Sequence, residues 1–367
     1  MALLKRNLKR NQEFQKSLTV LALLLSSLFS APSSAATVQS LTEGPPALAA
    51  TIGDSSFVPV EVERLAHAQV WFVDYEWHRQ HGIEIPPEGI RSPEFSKQVL
   101  DAYAWQSRTA SDDPAAFTGE KRISYADYYG GYGLGVNLGS GRAAANGIVQ
   151  AKGVKTPLAK DTDPFHSNGA VQSIEAVDEA IWSQILDGEM KHGSNKVIAV
   201  ILTGTFGMMK NNHQVFPRAL IIREMSPRPA HFMLNPFRFD SVEDKKRVNG
   251  TLSKLIENLP FPAGYKPNGK PEDLKIGMNE FVDREATAQA EYYAKRMYFG
   301  SVSPSNVERL MNCPALYSKG REGLSLMPSV SELSNSTFVT LAESFPIPAS
   351  GRTTSMSCSG KHEQDMK

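Results

Sequence analysis

Cysteine is almost missing from this chain: 367 residues contain two, Cys313 and Cys358. Two thiols allow at most one disulfide, closing a large loop in an oxidising compartment, and two free buried thiols are equally compatible with the sequence. A surplus of charge is missing too, with 39 Lys and Arg against 39 Asp and Glu. No basic tract occurs beyond residue 36, which argues against nucleic-acid or anionic-membrane binding through a positive surface. The apolar run at residues 18–29 falls short of the ~20 residues that a helix needs to cross a bilayer. Internal repeats and coiled-coil heptads are also absent, so neither a repeat array nor a long helical rod is expected.

The N-terminal segment has an order of its own. Lys5, Arg6, Lys9, Arg10 and Lys16 precede the apolar run, and small residues from Ala31 to Ala36 follow it. A charged, then apolar, then small-residue order is that of a secretory signal peptide, here residues 1–36, and it predicts export to a periplasmic or secreted location with no stable membrane span after cleavage. No cysteine closely follows the run, which argues against a lipoprotein anchor. Removing this segment takes five basic side chains and one acidic one, leaving 34 basic and 38 acidic groups and a formal charge of −4.

The remainder is long enough for one large domain or two lobes. Residues 37–56 are rich in small and turn-forming types and read as a loose leader, with ordered structure beginning at Phe57. Helical apolar spacing is read over residues 65–80 and 95–105, separated by Pro86 and Pro87. Residues 173–186 form a further expected helix, on which Glu175 and Glu179 are four apart and share a face. Short apolar runs at 197–202 and 218–223 read as buried strands. Residues 241–259 and 279–299 read as helices around a loop at 260–269, and Ser, Pro, Gly and Thr accumulate after residue 320. The expected class is α+β.

The stretch that organises the chain is Tyr128 to Lys160. Its glycines, including Gly133, Gly135, Gly139 and Gly141, lead into the apolar run Ile148-Val149-Gln150-Ala151 and then Lys152. Glycines let a backbone approach a ligand, successive free amides make a concave anion site, and a lysine on the following strand is placed to meet phosphate. By pattern alone a glycine-rich hairpin with an ordinary solvated lysine is the preferred reading.

The wording of the stretch resembles the selenoprotein O family, protein adenylyltransferases with a protein-kinase-like fold, whose corresponding segment reads roughly YGGHQFG, LGDGRA and QLKGAGPTP. The pieces stand here as Tyr129-Gly130-Gly131-Tyr132-Gly133-Leu134-Gly135, Leu138-Gly139-Ser140-Gly141-Arg142-Ala143 and Gln150-Ala151-Lys152-Gly153. The resemblance covers about residues 57–312 and implies a two-lobed kinase-like fold, with a leader and helices at 37–109, a small lobe at 110–235, a helical large lobe at 236–330 and a tail at 331–367. It implies ATP and Mg²⁺ as cofactors and AMP transfer to hydroxyls of a protein substrate. Lys152 would be held by a helix glutamate, Glu175 by the match and Glu179 by a shifted register. Arg223 and Arg228, in Arg223-Glu224-Met225-Ser226-Pro227-Arg228-Pro229-Ala230-His231-Phe232, resemble the family's RVAPSFxRFGHF and would contact the nucleotide phosphates. His231 reads as a packed histidine rather than a base.

At the base and metal positions the chain departs from the pattern. Where the family has HGVMNTDN, residues 299–306 read Phe-Gly-Ser-Val-Ser-Pro-Ser-Asn, so Ser305 replaces the aspartate at the base position and Asn306 matches the metal-binding asparagine. Asn312 lies nearest to the second metal aspartate. Each replacement exchanges an anionic oxygen for a neutral one. Three readings follow: a weak or inactive exported adenylyltransferase, a pseudokinase that binds a nucleotide or another anionic or phosphorylated ligand without turnover, and an envelope protein that inherited the fold.

Overall fold

The computed structural model describes residues 36–110, 112–130, 142–155, 169–208, 215–235, 241–297, 307–308 and 325–326. The chain divides into two compact units, Met1–Ser329 and Val330–Lys367, and the second lies outside the described residues. The strands are β1 (Phe57–Leu65), β2 (Gln69–Val73), β3 (Trp105–Gln106), β4 (Phe117–Asp127), β5 (Ala143–Asn146), β6 (Val149–Lys152), β7 (Val171–Gln172), β8 (Val197–Met208) and β9 (Val215–Glu224). They form one antiparallel sheet in the order β2-β8-β9-β6-β5-β4-β1-β3, with β7 also paired to β9. Two short strands, β10 (Val307–Glu308) and β11 (Ser325–Leu326), pair separately.

The apolar runs read as strands are buried because both faces of the sheet are covered. Leu220 and Ile222 of β9 join one core with Ile198 and Ile201, while Ala219 and Ile221 join another with Val197 and Val200. The first core is capped by α3 (Pro93–Tyr103), whose Phe95, Val99, Ala102 and Tyr103 recur at helical intervals. Ser92 accepts a hydrogen bond from the Phe95 amide at 3.3 Å, and Pro93 occupies the first turn, so this helix starts where its sequence directs. The second core is closed by α4 (Ser173–Glu189), which lays Ala176 and Ala180 on the sheet.

Two expectations are corrected. Residues 37–56 are not a loose leader: Val38, Leu41, Leu48 and Ile52 are buried, the last two in the short helix α1 (Leu48–Ile52). This segment grips the turn between β5 and β6, where Ile148 N–H donates to Leu41 O at 3.0 Å and Ala47 N–H to Gly147 O at 2.6 Å. Gly147 has φ +51, and a Cβ there would lie 2.3 Å from Leu41 O, so both the turn and the grip need glycine. The expected helix at 65–80 is instead β2 followed by α2 (Tyr75–Gln80). The aromatic and β-branched run Val70-Trp71-Phe72-Val73 pairs with β8, and Asp74 starts the helix by accepting from the Trp77 amide at 2.9 Å. The sheet therefore begins at Phe57, ahead of residue 110.

The second half is helical: α5 (Val242–Leu252), α6 (Leu255–Asn258) and α7 (Pro271–Ala294) follow one another, with residues 260–269 as loop. Among the described residues no helix is long and apolar enough to cross a membrane. The fold is thus α+β, with one large antiparallel sheet and several helices.

A buried histidine gives the first core a pH dependence. His78 on α2 is fully buried; its Nδ1 donates to Asp74 O at 2.7 Å and its Nε2 accepts from the Tyr103 hydroxyl at 3.0 Å. Burial lowers its pKa from the ordinary 6.5, outweighing the raising effect of the Asp74 carbonyl. The unfolded chain takes up a proton as pH falls below 6.5, whereas the folded His78 resists it, so stability declines on acidification through that range. Urea denaturation of the protein and of His78→Gln, from about pH 7.5 down to about pH 5, should show a shallower acid decline in the variant. Equal slopes would contradict this assignment.

Candidate functional site

The hairpin of β5 and β6 places two cations at its open end. Ala143 lies opposite Lys152, and the backbone N–H groups of Gly153 and Val154 both donate to Arg142 O, at 2.6 and 2.9 Å. Across from them stands α4. Glu175, in its first turn, lies 3.0 Å from Lys152 Nζ, and its two carboxylate oxygens accept from Arg142 Nη2 at 2.9 and 3.0 Å. Glu179, one turn on, is in direct contact with Lys152 Nζ. Both glutamates named as partners for Lys152 are thus brought to it, and Arg142 is tied to the same helix. Burial alone would push the Glu175 carboxyl up; the charges of Lys152 and then Arg142 more than reverse this and hold it down to about 2.

A second polar cluster occupies the same side of the sheet. Gln150 and Lys152 are two apart on β6 and share a face. Arg223, paired with Gln150 across β6 and β9, donates to its Oε1 through Nε at 2.9 Å and Nη2 at 2.7 Å, and Arg228 Nη2 reaches the same oxygen at 3.5 Å. The amide Nε2 of Gln150 donates to Asp127 Oδ2 at 3.2 Å. Asp127 Oδ1 accepts from His231 Nε2 at 2.8 Å, and His231 Nδ1 accepts from the Arg228 backbone N–H at 2.9 Å. A ring nitrogen that accepts from an amide carries no proton, so the hydrogen of His231 sits on Nε2, pointing at Asp127. Burial pushes the Asp127 carboxyl up, but contact with His231 and the charges of Arg228 and Arg223 prevail and hold it below the usual carboxylate range. Tyr129 completes the cluster, its ring 5.2 Å from the Arg228 guanidinium and edge-on to His231.

The helical half is attached to this cluster. The carbonyl of His231 accepts from Arg247 Nη1 at 2.6 Å and from the Thr251 hydroxyl at 2.9 Å, both on α5. Arg247 also donates to Asp244 at 2.8 and 3.0 Å, and Asp244 in turn accepts from the Asn235 amide at 2.7 Å. Gly130, the first glycine after β4, lies against this layer: its N–H donates to Ala230 O at 2.8 Å, and a Cβ would sit 1.9 Å from Met233 O. Glycine is needed there for close approach of two backbones.

Of the residues singled out in the sequence, Arg142, Lys152 and Glu175 come together, and Arg223 and Arg228 come together beside them through Gln150. Both of these arginines are interior, 6% exposed each, and His231 is packed. Gly133, Gly135, Gly139, Gly141, Ser305, Asn306, Asn312, Cys313 and Cys358 lie outside the described residues. Among the described residues no group of three or more His, Cys, Asp or Glu side chains is arranged to hold a metal. Sequence reasoning missed Asp127, Gln150, Asp244 and Arg247 as parts of this region. The two-residue period from Lys152 marks Gln150; nothing in the sequence separates Asp127 from the other acids.

The chain matches no protein-family model and no curated protein.

Asp127 is the carboxylate that both the arginine pair and His231 face. Asp127→Asn keeps the shape and removes the charge, and the loss of a buried partner of this kind costs about 3–5 kcal/mol. Urea denaturation at neutral pH should show that loss, and a change under about 1 kcal/mol would show the cluster to be energetically idle. Because the folded pKa of Asp127 is depressed, its contribution is present above the ordinary carboxylate range and is lost as pH falls through the folded value.

Proposed function

We propose that this chain is an exported, selenoprotein O-like nucleotide-binding protein with a two-lobed kinase-like fold, in which AMP transfer to protein hydroxyls is weak or lost. The observation that carries the reading is the Lys152 constellation. A strand lysine follows a glycine-rich stretch and is held by carboxylates of the next helix, beside two further arginines on the same face of the sheet. Cations gathered on one face of the sheet and held in place by carboxylates supply the positive charge that a nucleotide's phosphates require. Donors of this charge and number suit a nucleotide's phosphates.

Weak transfer follows from the base and metal positions. Ser305 supplies a hydroxyl where a carboxylate would take the proton of the attacking group, and Asn312 offers magnesium a neutral oxygen where the family pattern has an aspartate. Magnesium, when bound at such a site, supplies positive charge to the phosphates during transfer. A chain with these residues binds more readily than it turns over. A second reading, a catalytically dead module for an anionic or phosphorylated ligand in the cell envelope, rests on the same losses at Ser305 and Asn312, because the cations around Lys152 do not depend on those residues.

Isothermal titration with ATP and labelling with α-labelled ATP test the proposal together. ATP should bind, Lys152→Ala should weaken binding by about tenfold or more, and label transfer by the unaltered protein should be slight. The double variant Ser305→Asp with Asn312→Asp should raise magnesium-dependent transfer. Strong labelling by the unaltered protein, abolished by Lys152→Ala, would overturn the claim of weak turnover. No ATP binding at all would overturn the nucleotide reading.

A further inference from the structure

We propose that Glu175 is a built-in competing anion that sets the ligand threshold of the Lys152 site, admitting polyphosphate groups and rejecting single phosphates. The inference rests on the nucleotide-binding reading above and adds to it the class of ligand and the residue that selects it.

The two glutamates that touch Lys152 are not equivalent. Glu179 is sequestered, its side chain 5% exposed, and Lys152 is in direct contact with it. Glu175 is 23% exposed, sits in the first turn of α4, and bridges Lys152 and Arg142 with contacts of 2.9–3.0 Å. Lys152 therefore keeps a buried partner when Glu175 is withdrawn, whereas Arg142 and Lys152 both lose the anion they share. A carboxylate bridging two cations occupies the position that a phosphate oxygen would take between them. Its depressed pKa means that this carboxylate stays charged at every physiological pH.

Any anion that enters must outcompete this carboxylate. A single phosphate taking its place gains little more than the carboxylate gives up, and it leaves the displaced charge close by. A di- or triphosphate carries several anionic oxygens on linked phosphorus atoms, so it can bridge Lys152 and Arg142 with more charge than the single carboxylate it displaces. The side chain of Glu175 is partly exposed near a helix end, whereas that of Glu179 is buried.

Inorganic phosphate, inorganic tripolyphosphate and ATP, titrated calorimetrically into the protein and into Glu175→Gln and Glu179→Gln, test this. The expected result is that Glu175→Gln binds phosphate roughly tenfold more tightly and discriminates less between tripolyphosphate and phosphate, a change on the scale of one charge-assisted contact. Glu179→Gln should weaken both. Glu175→Ala must reproduce the effect of Glu175→Gln, and melting curves must show folded protein throughout. If Glu175→Gln leaves the discrimination unchanged, or weakens both ligands as Glu179→Gln does, the threshold role is overturned while ATP binding by the unaltered protein still stands. If neither the unaltered protein nor Glu175→Gln binds ATP or tripolyphosphate, both this proposal and the nucleotide reading fall.

Discussion

The ion pairs between Lys152 and one face of α4 depend on how closely that helix approaches the sheet, and the approach is set by side-chain size. Ala176, Ala180 and Ser183 recur at helical spacing and are fully or almost fully buried, so the helix axis comes near β8 and β9. Ser183 uses the proximity, accepting from the Val197 amide at 2.8 Å and, through its carbonyl, from the Ser194 hydroxyl at 2.7 Å. Glu175 and Glu179, each one position before Ala176 and Ala180, flank this small-residue stripe on α4. Larger residues in the stripe would lift the helix and with it both carboxylates, leaving a partly buried lysine without its counter-charge, which is the costly arrangement.

The neighbouring cluster solves a related problem with an amide in place of a second acid. Gln150 accepts from two guanidinium groups and donates to Asp127, so one oxygen collects the arginine hydrogens while the nitrogen passes the polarity on to a carboxylate. The orientation of the amide is thereby determined by its partners on both ends. His231 carries the chain of contacts further: its ring joins Asp127 to the Arg228 backbone, and its carbonyl meets Arg247 and Thr251 of α5. The sheet and the helical second half are therefore joined by satisfied polar groups as well as by apolar packing. A rigid polar layer of this kind holds the arginines in one arrangement. The backbone at Gly130 lies close against residues 233 and 234 beside this layer.

Local pattern determined a good deal. The apolar runs of β8 and β9, the capped start of α3, the helix carrying Glu175 and Glu179, the helical second half and the loop at 260–269 are all readable from periodicity, breakers and caps, because each depends on residues near one another in the chain. The partnership of Lys152 with these glutamates came from the resemblance, not from pattern: periodicity shows only that Glu175 and Glu179 share a helix face.

What the sequence could not decide needed distant segments to meet. Residues 37–56 look like a leader until Leu41 and Ala47 close on the Gly147 turn, a contact across about a hundred residues that no local composition announces. The run Val70 to Val73 fits a helix as well as a strand until β8 offers it a partner, and sheet pairing then outweighs helical spacing. Asp127 is one acid among 39 acidic side chains, and only the convergence of β4, β6 and β9 with the segment at 228–231 makes it the carboxylate around which two arginines and a histidine are arranged. Burial gives such a residue its importance, and burial is a property of the assembled chain.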